Sequence, residues 1–156
     1  MTSVRRALPP EAGAVKELVE RAYAKYVPRI GRRPAPMDAD YRELIALGRV
    51  SVVEAVGGQL VGAIVLVEKP DHLLIENVAV DPESQGRGIG RALLEFAERE
   101  ARARGLAELR LYTHERMTEN IAYYPRRGYV ETHRSDDGTF HRVHFAKRLA
   151  AAPSAE

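Results

Sequence analysis

Apolar positions change period several times along this chain, and each change marks an element. Val15, Leu18, Val19, Ala22, Tyr23 and Tyr26 recur at helical spacing after Pro9 and Pro10, with a short strand expected before them over residues 4–7. PRIGRRPAP, residues 28–36, breaks that helix, and Asp38 is placed to cap a second one carrying Tyr41, Leu44 and Ile45 and ending near Gly48. Residues 50–56 and 60–68 are β-rich and flank Gly57-Gly58, a pair suited to a two-residue hairpin turn. Residues 72–80 are apolar enough for a central strand. Ala92, Leu93, Phe96, Ala97, Glu100 and Ala101 mark a helix that Gly105 can end, and residues 109–113 read as the next strand. Thr118 is placed to cap a helix through Arg127, closed by Gly128, and residues 129–134 and 139–148 form a hairpin around Asp136-Asp137-Gly138. The order β-α-α-β-β-β-α-β-α-β-β predicts a mixed sheet with helices on its faces.

Composition narrows the function classes. The 156 residues predict one domain over 1–149, with a small polar tail, 150–156, expected to be disordered. The absence of cysteine removes disulfides, thiolate ligands and a cysteine nucleophile, and suits a cytoplasmic location. With 24 basic against 22 acidic residues and no stretch that interleaves basic and aromatic side chains, no nucleic-acid partner is expected. No apolar run approaches the ~20 residues of a membrane span, and MTSVRRALPPE lacks the apolar core of a signal peptide, so no membrane partner is expected.

The candidate chemistry lies in VDPESQGRGIGRALL, residues 80–94, where Gly86, Gly88 and Gly90 alternate between the central strand and a helix. Such a turn lets backbone N–H groups converge on phosphate at the positive end of the helix. The P-loop pattern fails because Arg91 and Ala92 follow Gly90, where Lys and Ser or Thr are needed. The dinucleotide pattern G-x-G-x-x-G fails as well, its last place falling on Arg91 or Leu93. What remains is Gln85-x-x-Gly88-x-Gly90. With NVAVDPESQGRGIGRALLEFAE around it and NIAYYPRRGY downstream, the chain resembles the GNAT superfamily of acyl-CoA-dependent N-acyltransferases over residues 76–129.

The resemblance implies an α+β fold, a mainly antiparallel sheet of about seven strands with about four helices, splayed between strands 4 and 5. It implies acetyl-CoA as co-substrate and no metal. The pantetheine arm would pair with Val78, Ala79 and Val80, the N–H of Val78 would polarise the thioester carbonyl, and the pyrophosphate would sit on Gln85, Gly86, Arg87, Gly88, Ile89, Gly90 and Arg91. A tyrosine of the next helix protonates the departing thiolate in the family; Tyr124 matches it, four residues before Gly128, and also reads as a core tyrosine. Asn120 and Arg127 complete the cofactor set. The family's asparagine stands seven residues before the tyrosine, where this chain has Met117; Asn120 lies one helical turn closer. Pro125 is a second departure, because an interior proline costs about 3 kcal/mol, and a kink or early end is expected there.

The acceptor implied is the amine of a small molecule or a protein, and a homodimer fits the resemblance. A lysine-like amine of pKa near 10.4 is neutral in only about one part in a thousand at pH 7, a deficit of roughly 4 to 5 kcal/mol that a base relieves. Glu76 shares a strand face with Val78 and is the candidate, with a structural carboxylate as the alternative. The other class of function is an acyl-CoA-binding regulatory module without transfer. Tyr23, Tyr26 and Tyr41 read as an acceptor pocket or as core, Arg29, Arg32 and Arg33 as an anion-greeting loop or a solvated face, and His114 as a proton relay or a solvated side chain. His141 and His144, three apart on a strand, face opposite sides, so no metal site is expected.

Overall fold

A computed structural model describes residues 2–150; the tail expected to be disordered lies, from 151 on, outside the described residues. The elements are β1 (Arg5–Arg6), α1 (Ala12–Tyr23), α2 (Tyr26–Ile30), α3 (Tyr41–Ala46), β2 (Val50–Glu54), β3 (Leu60–Glu68), β4 (Leu73–Val80), α4 (Ile89–Ala103), β5 (Glu108–His114), α5 (Thr118–Arg126), β6 (Val130–Asp136) and β7 (His141–Arg148). Short 3-10 turns occupy Pro9–Glu11, Ala35–Asp38 and Pro82–Ser84. The strands form a seven-stranded sheet in the order β1-β2-β3-β4-β5-β7-β6. It is mixed: β4 runs parallel to β5. Packing divides the chain into two compact units, one of residues up to Leu66 with Glu76–Phe96, the other of Val67–Ile75 with the residues from Ala97 onward.

In the first unit, Val15, Leu18, Val19 and Ala22 of α1 are buried at the expected spacing. The helix entry is fixed by Glu11, which accepts the Leu8 N–H at 2.8 Å and binds both ends of the Arg5 guanidinium at 2.9 and 2.8 Å. That guanidinium holds the Glu11 carboxyl down at about 2. The proline-rich stretch makes a helix the sequence did not suggest. Pro28 is the third residue of α2, where an N–H would have no helical partner anyway, and Gly31 closes it at φ +84° with its N–H on the Val27 carbonyl. The cap of α3 is Asp40, whose carboxylate accepts the Glu43 N–H at 3.1 Å. Asp38, expected in that role, sits in the preceding turn and binds Arg33 Nε at 2.9 Å. The β2–β3 connection is longer than the expected two residues: Ala55 N–H closes on the Gln59 carbonyl at 2.8 Å around Val56, Gly57 and Gly58.

In the second unit, Leu73, Ile75, Leu109, Leu111, Val143 and Phe145 supply buried positions of β4, β5 and β7. β4 joins β5 through Leu73↔Leu109, Leu74↔Arg110 and Ile75↔Leu111, while β5 pairs β7 from Glu108↔Arg148 to His114↔Arg142. Thr118 is the first residue of α5 rather than its cap, and its hydroxyl turns to Glu119 at 3.1 Å. The helix ends at Arg126, one residue past Pro125, where the Arg127 and Gly128 N–H groups close on the Tyr124 and Pro125 carbonyls. Tyr129 N–H then returns to the Tyr124 carbonyl across Gly128 at φ +92°. The β6–β7 turn is held by Asp137, whose carboxylate accepts the N–H groups of Thr139 and Phe140 at 2.8 and 2.7 Å. Those two N–H groups hold the Asp137 carboxyl below the usual range.

Candidate active site

The loop after β4 starts from a residue outside the glycine motif. Asp81 is 4% exposed, and a carboxylate so placed needs partners. It accepts the Glu83 N–H at 3.0 Å and meets Arg21 Nη2 and Gln59 Nε2, each at 3.4 Å, while its own N–H donates to the Val61 carbonyl. Its signal in the sequence is Asp before Pro, the usual start of a capped turn. Gln85 follows in extended conformation, and Gly86 and Gly88 adopt φ +82° and +80°, a region side chains disfavour. A Cβ added at either glycine would meet nothing within 4 Å, so conformation rather than crowding calls for glycine, and the outer side stays open to a bulky anion. The Gly88 carbonyl accepts the Ala92 N–H at 3.0 Å, so the N–H groups of Ile89, Gly90 and Arg91 precede the ladder of the 15-residue α4. Ile89 is buried and anchors the turn; Gln85, Gly86, Arg87 and Gly88 are exposed, and Arg91 is tied to Glu95 at 3.0 Å. These groups fit a pyrophosphate.

Burial alternates along β4: Ile75, Asn77 and Ala79 are buried, whereas Glu76 is exposed and Val78 and Val80 are half-buried. Glu76, Val78 and Val80 therefore share the open face, as period two requires. Ala79 has only its backbone to offer. Asn77, absent from the expected site, is the polar centre of the buried face. The Tyr23 hydroxyl donates to Asn77 Oδ1 at 2.7 Å, with the Val78 carbonyl also within 3.2 Å, and Asn77 Nδ2 donates to the Tyr41 hydroxyl at 3.0 Å. The Tyr41 hydroxyl in turn donates to the Pro36 carbonyl. Burial, only partly opposed by the Asn77 bond and reinforced by the Glu76 charge, keeps this phenol protonated far above its usual range. Tyr23, Tyr26 and Tyr41 are all buried, which selects the core reading for their rings.

In the second unit, Tyr124 is buried on α5, edge-on to Tyr123 at 5.5 Å and to Tyr129 at 5.6 Å, with Phe145 at 6.0 Å. Its ring belongs to the core, which restricts where the hydroxyl can point. Asn120 donates to Thr113 Oγ1 at 3.1 Å, and the Thr113 hydroxyl lies 3.3 Å from Met117 Sδ. The two residues that divide the place of the family's asparagine thus meet at one threonine of β5. Arg127 lies over the Tyr123 ring at 5.8 Å, and its carbonyl accepts Lys147 Nζ at 2.8 Å.

The remaining candidates have defined neighbours. His114 is buried rather than solvated, its Nδ1 accepting the Arg116 N–H at 3.0 Å. That bond leaves Nε2 to carry the ring proton. His141 and His144 join different ring pairs, with His114 and His133 respectively. Arg33 is paired with Asp38 and Glu20, and Arg29 lies over the Tyr26 ring.

Comparison with known proteins extends these observations. Residues 14–129 match the model of the acetyltransferase (GNAT) family. The [ribosomal protein bS18]-alanine N-acetyltransferase of Escherichia coli K12 is 41% identical over 61 residues, 39% of this chain and 41% of that protein. The chain spans less than half the length of the curated relatives it matches. Among solved structures, the PaiA N-acetyltransferase of Thermoplasma acidophilum in complex with coenzyme A has the same fold, with TM-score 0.75 at 18% identity over 96% of this chain and 99% of that one. A GNAT-family protein of Desulfovibrio desulfuricans superposes with TM-score 0.77 at 19% identity over 96% of this chain and 100% of its own. With a strand, glycine turn and helix of the family's kind inside a match that covers residues 14–129, this chain belongs to the acetyltransferase (GNAT) family.

Proposed function

We propose that residues 1–149 act as one domain that transfers the acetyl group of acetyl-CoA directly to a primary amine in a ternary complex. The observation that carries this reading is the loop from Gln85 to Arg91, where two left-handed glycines and the N–H groups ahead of the α4 ladder are arranged for a pyrophosphate. On β4, the Val78 N–H polarises the thioester carbonyl and the exposed Glu76 carboxylate accepts the amine proton, directly or through water. Tyr124 supplies the proton to the departing thiolate. The three-pair β4–β5 ladder, ending at Ile75↔Leu111, supports a pantetheine that pairs with the later residues of β4. Asn120 and Arg127 complete the cofactor contacts, no metal takes part, and the protein works in the cytoplasm as a homodimer.

The acceptor is a small-molecule or protein amine. A relative named for acting on an alanine of a ribosomal protein favours including peptide N-termini among the candidates. An α-amine of pKa about 7.7 to 8.0 is far easier to deprotonate than a lysine, so it leans less on Glu76. The test is release of free CoA thiol from acetyl-CoA with polyamines, amino acids, aminoglycosides and alanine- or serine-starting peptides. Amine-dependent release supports transfer; tight binding of acetyl-CoA without release across that panel favours a regulatory acyl-CoA-binding module instead.

A further inference from the structure

Three elements of the first unit converge on one amide of β4. Tyr23 comes from the last turn of α1, Tyr41 opens α3, and Pro36 lies in the turn between α2 and α3. Tyr23 and Tyr41 bond Asn77 directly, and Pro36 is reached through the Tyr41 hydroxyl. Asn77 is 5% exposed, and Tyr23 and Tyr41 are 9% and 3% exposed, so these hydrogen bonds exchange little with water. A core that needed only volume here would use a leucine or a valine, since an unmade bond to a buried amide costs about 1 to 3 kcal/mol. The polar choice has a geometric result. Tyr23 holds the Asn77 side chain on one side of Val78 and approaches the Val78 carbonyl on the other, at 2.7 and 3.2 Å. The residue whose N–H is assigned to the thioester is therefore bracketed by one hydroxyl.

We propose that Asn77 and Tyr23 are positioning residues of the acyl-transfer site. They fix the direction of the Val78 N–H, and through Tyr41 they set α1 and α3 in register with the reacting strand. Neither touches the reacting atoms, because both lie on the buried side of β4, opposite Glu76 and Val78. The network carries no proton to the substrate: the Tyr41 phenol is held neutral and its proton is committed to a backbone carbonyl. This inference rests on the proposed function, since it concerns the group assigned to the thioester.

The test uses the full chain with [1-13C]acetyl-CoA, so it needs no known acceptor. Difference infrared spectra of the bound thioester report how strongly its carbonyl is polarised, and calorimetry gives its Kd. In the wild-type protein the carbonyl stretch moves to lower wavenumber on binding. Tyr23→Phe and Asn77→Ala are expected to lose at least half of that shift while the acetyl-CoA Kd stays within about threefold, because the pyrophosphate loop holds most of the cofactor. With any amine that supports turnover, kcat falls about three- to tenfold, more than the KM for acetyl-CoA rises. Tyr23→Phe keeps the ring and decides the matter alone if Asn77→Ala fails to fold. A wild-type band position in Tyr23→Phe overturns the inference. If the wild-type protein binds no acetyl-CoA, the proposed function falls first and the inference falls with it.

Discussion

The imidazoles of His133 and His144 lie stacked as a cross-strand pair of β6 and β7, centroids 4.1 Å apart and planes 8° from parallel. Burial, followed by the positive charges of His133 and Arg142, pulls the His144 pKa below its ordinary value. The unfolded chain then takes up a proton near pH 6.5 that the folded chain resists, so folding stability is full above that pH and is lost as pH falls through the lower folded value. Urea midpoints should fall between pH 7 and pH 5, and His144→Gln should flatten that slope. An equal slope in the variant would assign the effect to other groups.

β3 touches the start of α4 at Gly62. A Cβ there would sit 2.6 Å from Ile89 Cγ2 and 3.3 Å from Leu93 Cδ1. The Ile89 methyl branches from Cβ and cannot swing aside as a chain end does. Gly62→Ala should therefore destabilise by about 1 to 3 kcal/mol and displace the first residue of α4, weakening acetyl-CoA binding as well. Ile89→Leu, which lacks Cγ2, should recover part of both losses in the double variant, measured by denaturation and calorimetry.

How far the sequence reached depended on whether the signal was local. The glycine loop was legible because positive φ at Gly86 and Gly88 is a backbone demand written directly as residue type. Glu76, Val78 and Val80 on one face followed from period two alone. The caps were misplaced by one or two residues: Asp38 and Asp40 both precede the same helix, and only the three-dimensional approach of Arg33 assigns Asp38 elsewhere. Pro28 reads as a breaker in the sequence, because composition does not say whether a proline lies in a first turn. Asn77 carries no local signal, since its partners Tyr23 and Tyr41 lie 54 and 36 residues away in sequence. His114 is buried beside the His141 ring of β7, a neighbour that its place at a strand end does not announce.

Glu76 and Tyr124 should separate in a pH profile. The base is needed most where the amine is protonated, so Glu76→Gln should cost about 10- to 100-fold in kcat/KM near neutrality and less toward high pH, where the amine is already neutral. Tyr124→Phe should lower kcat by about tenfold or more with little change in the acetyl-CoA Kd, since the departing thiolate is stabilised only after bond breaking begins. Undiminished activity of Glu76→Gln across the whole range would leave that carboxylate a structural group.

Glycine at position 88 offers a cleaner test of the loop. No atom lies within 4 Å of a Cβ there, so Gly88→Ala introduces conformational strain at φ +80° and no clash. The cost should be about 1 to 2 kcal/mol, expressed as lower stability or as a relaxed turn. A relaxed turn misdirects the N–H groups of Ile89 and Gly90, so acetyl-CoA binding weakens while the denaturation midpoint holds. Titration calorimetry beside thermal unfolding separates the two routes.

Tyr129, next to Gly128, is 2% exposed, and its hydroxyl has no hydrogen-bond partner among the described residues. Burial, with the charges of Tyr124 and Glu98 adding, raises its pKa far above the usual phenol range, so the group stays neutral at any working pH. Its ring packs edge-on against Tyr124 and lies under Lys147 Nζ at 5.7 Å, while Lys147 pairs with Glu98 at 3.2 Å. The ring thus contributes packing, and the oxygen carries an uncompensated desolvation cost of about 1 to 3 kcal/mol. Tyr129→Phe keeps the ring and removes the oxygen, so it should leave stability unchanged or raise it, in contrast to the loss usual for a buried residue. Tyr129→Leu should destabilise by about 2 kcal/mol or more through lost packing around Tyr124. Chemical denaturation of both variants checks the pair; a loss in Tyr129→Phe comparable to that in Tyr129→Leu would mean that a bound water already satisfies the hydroxyl.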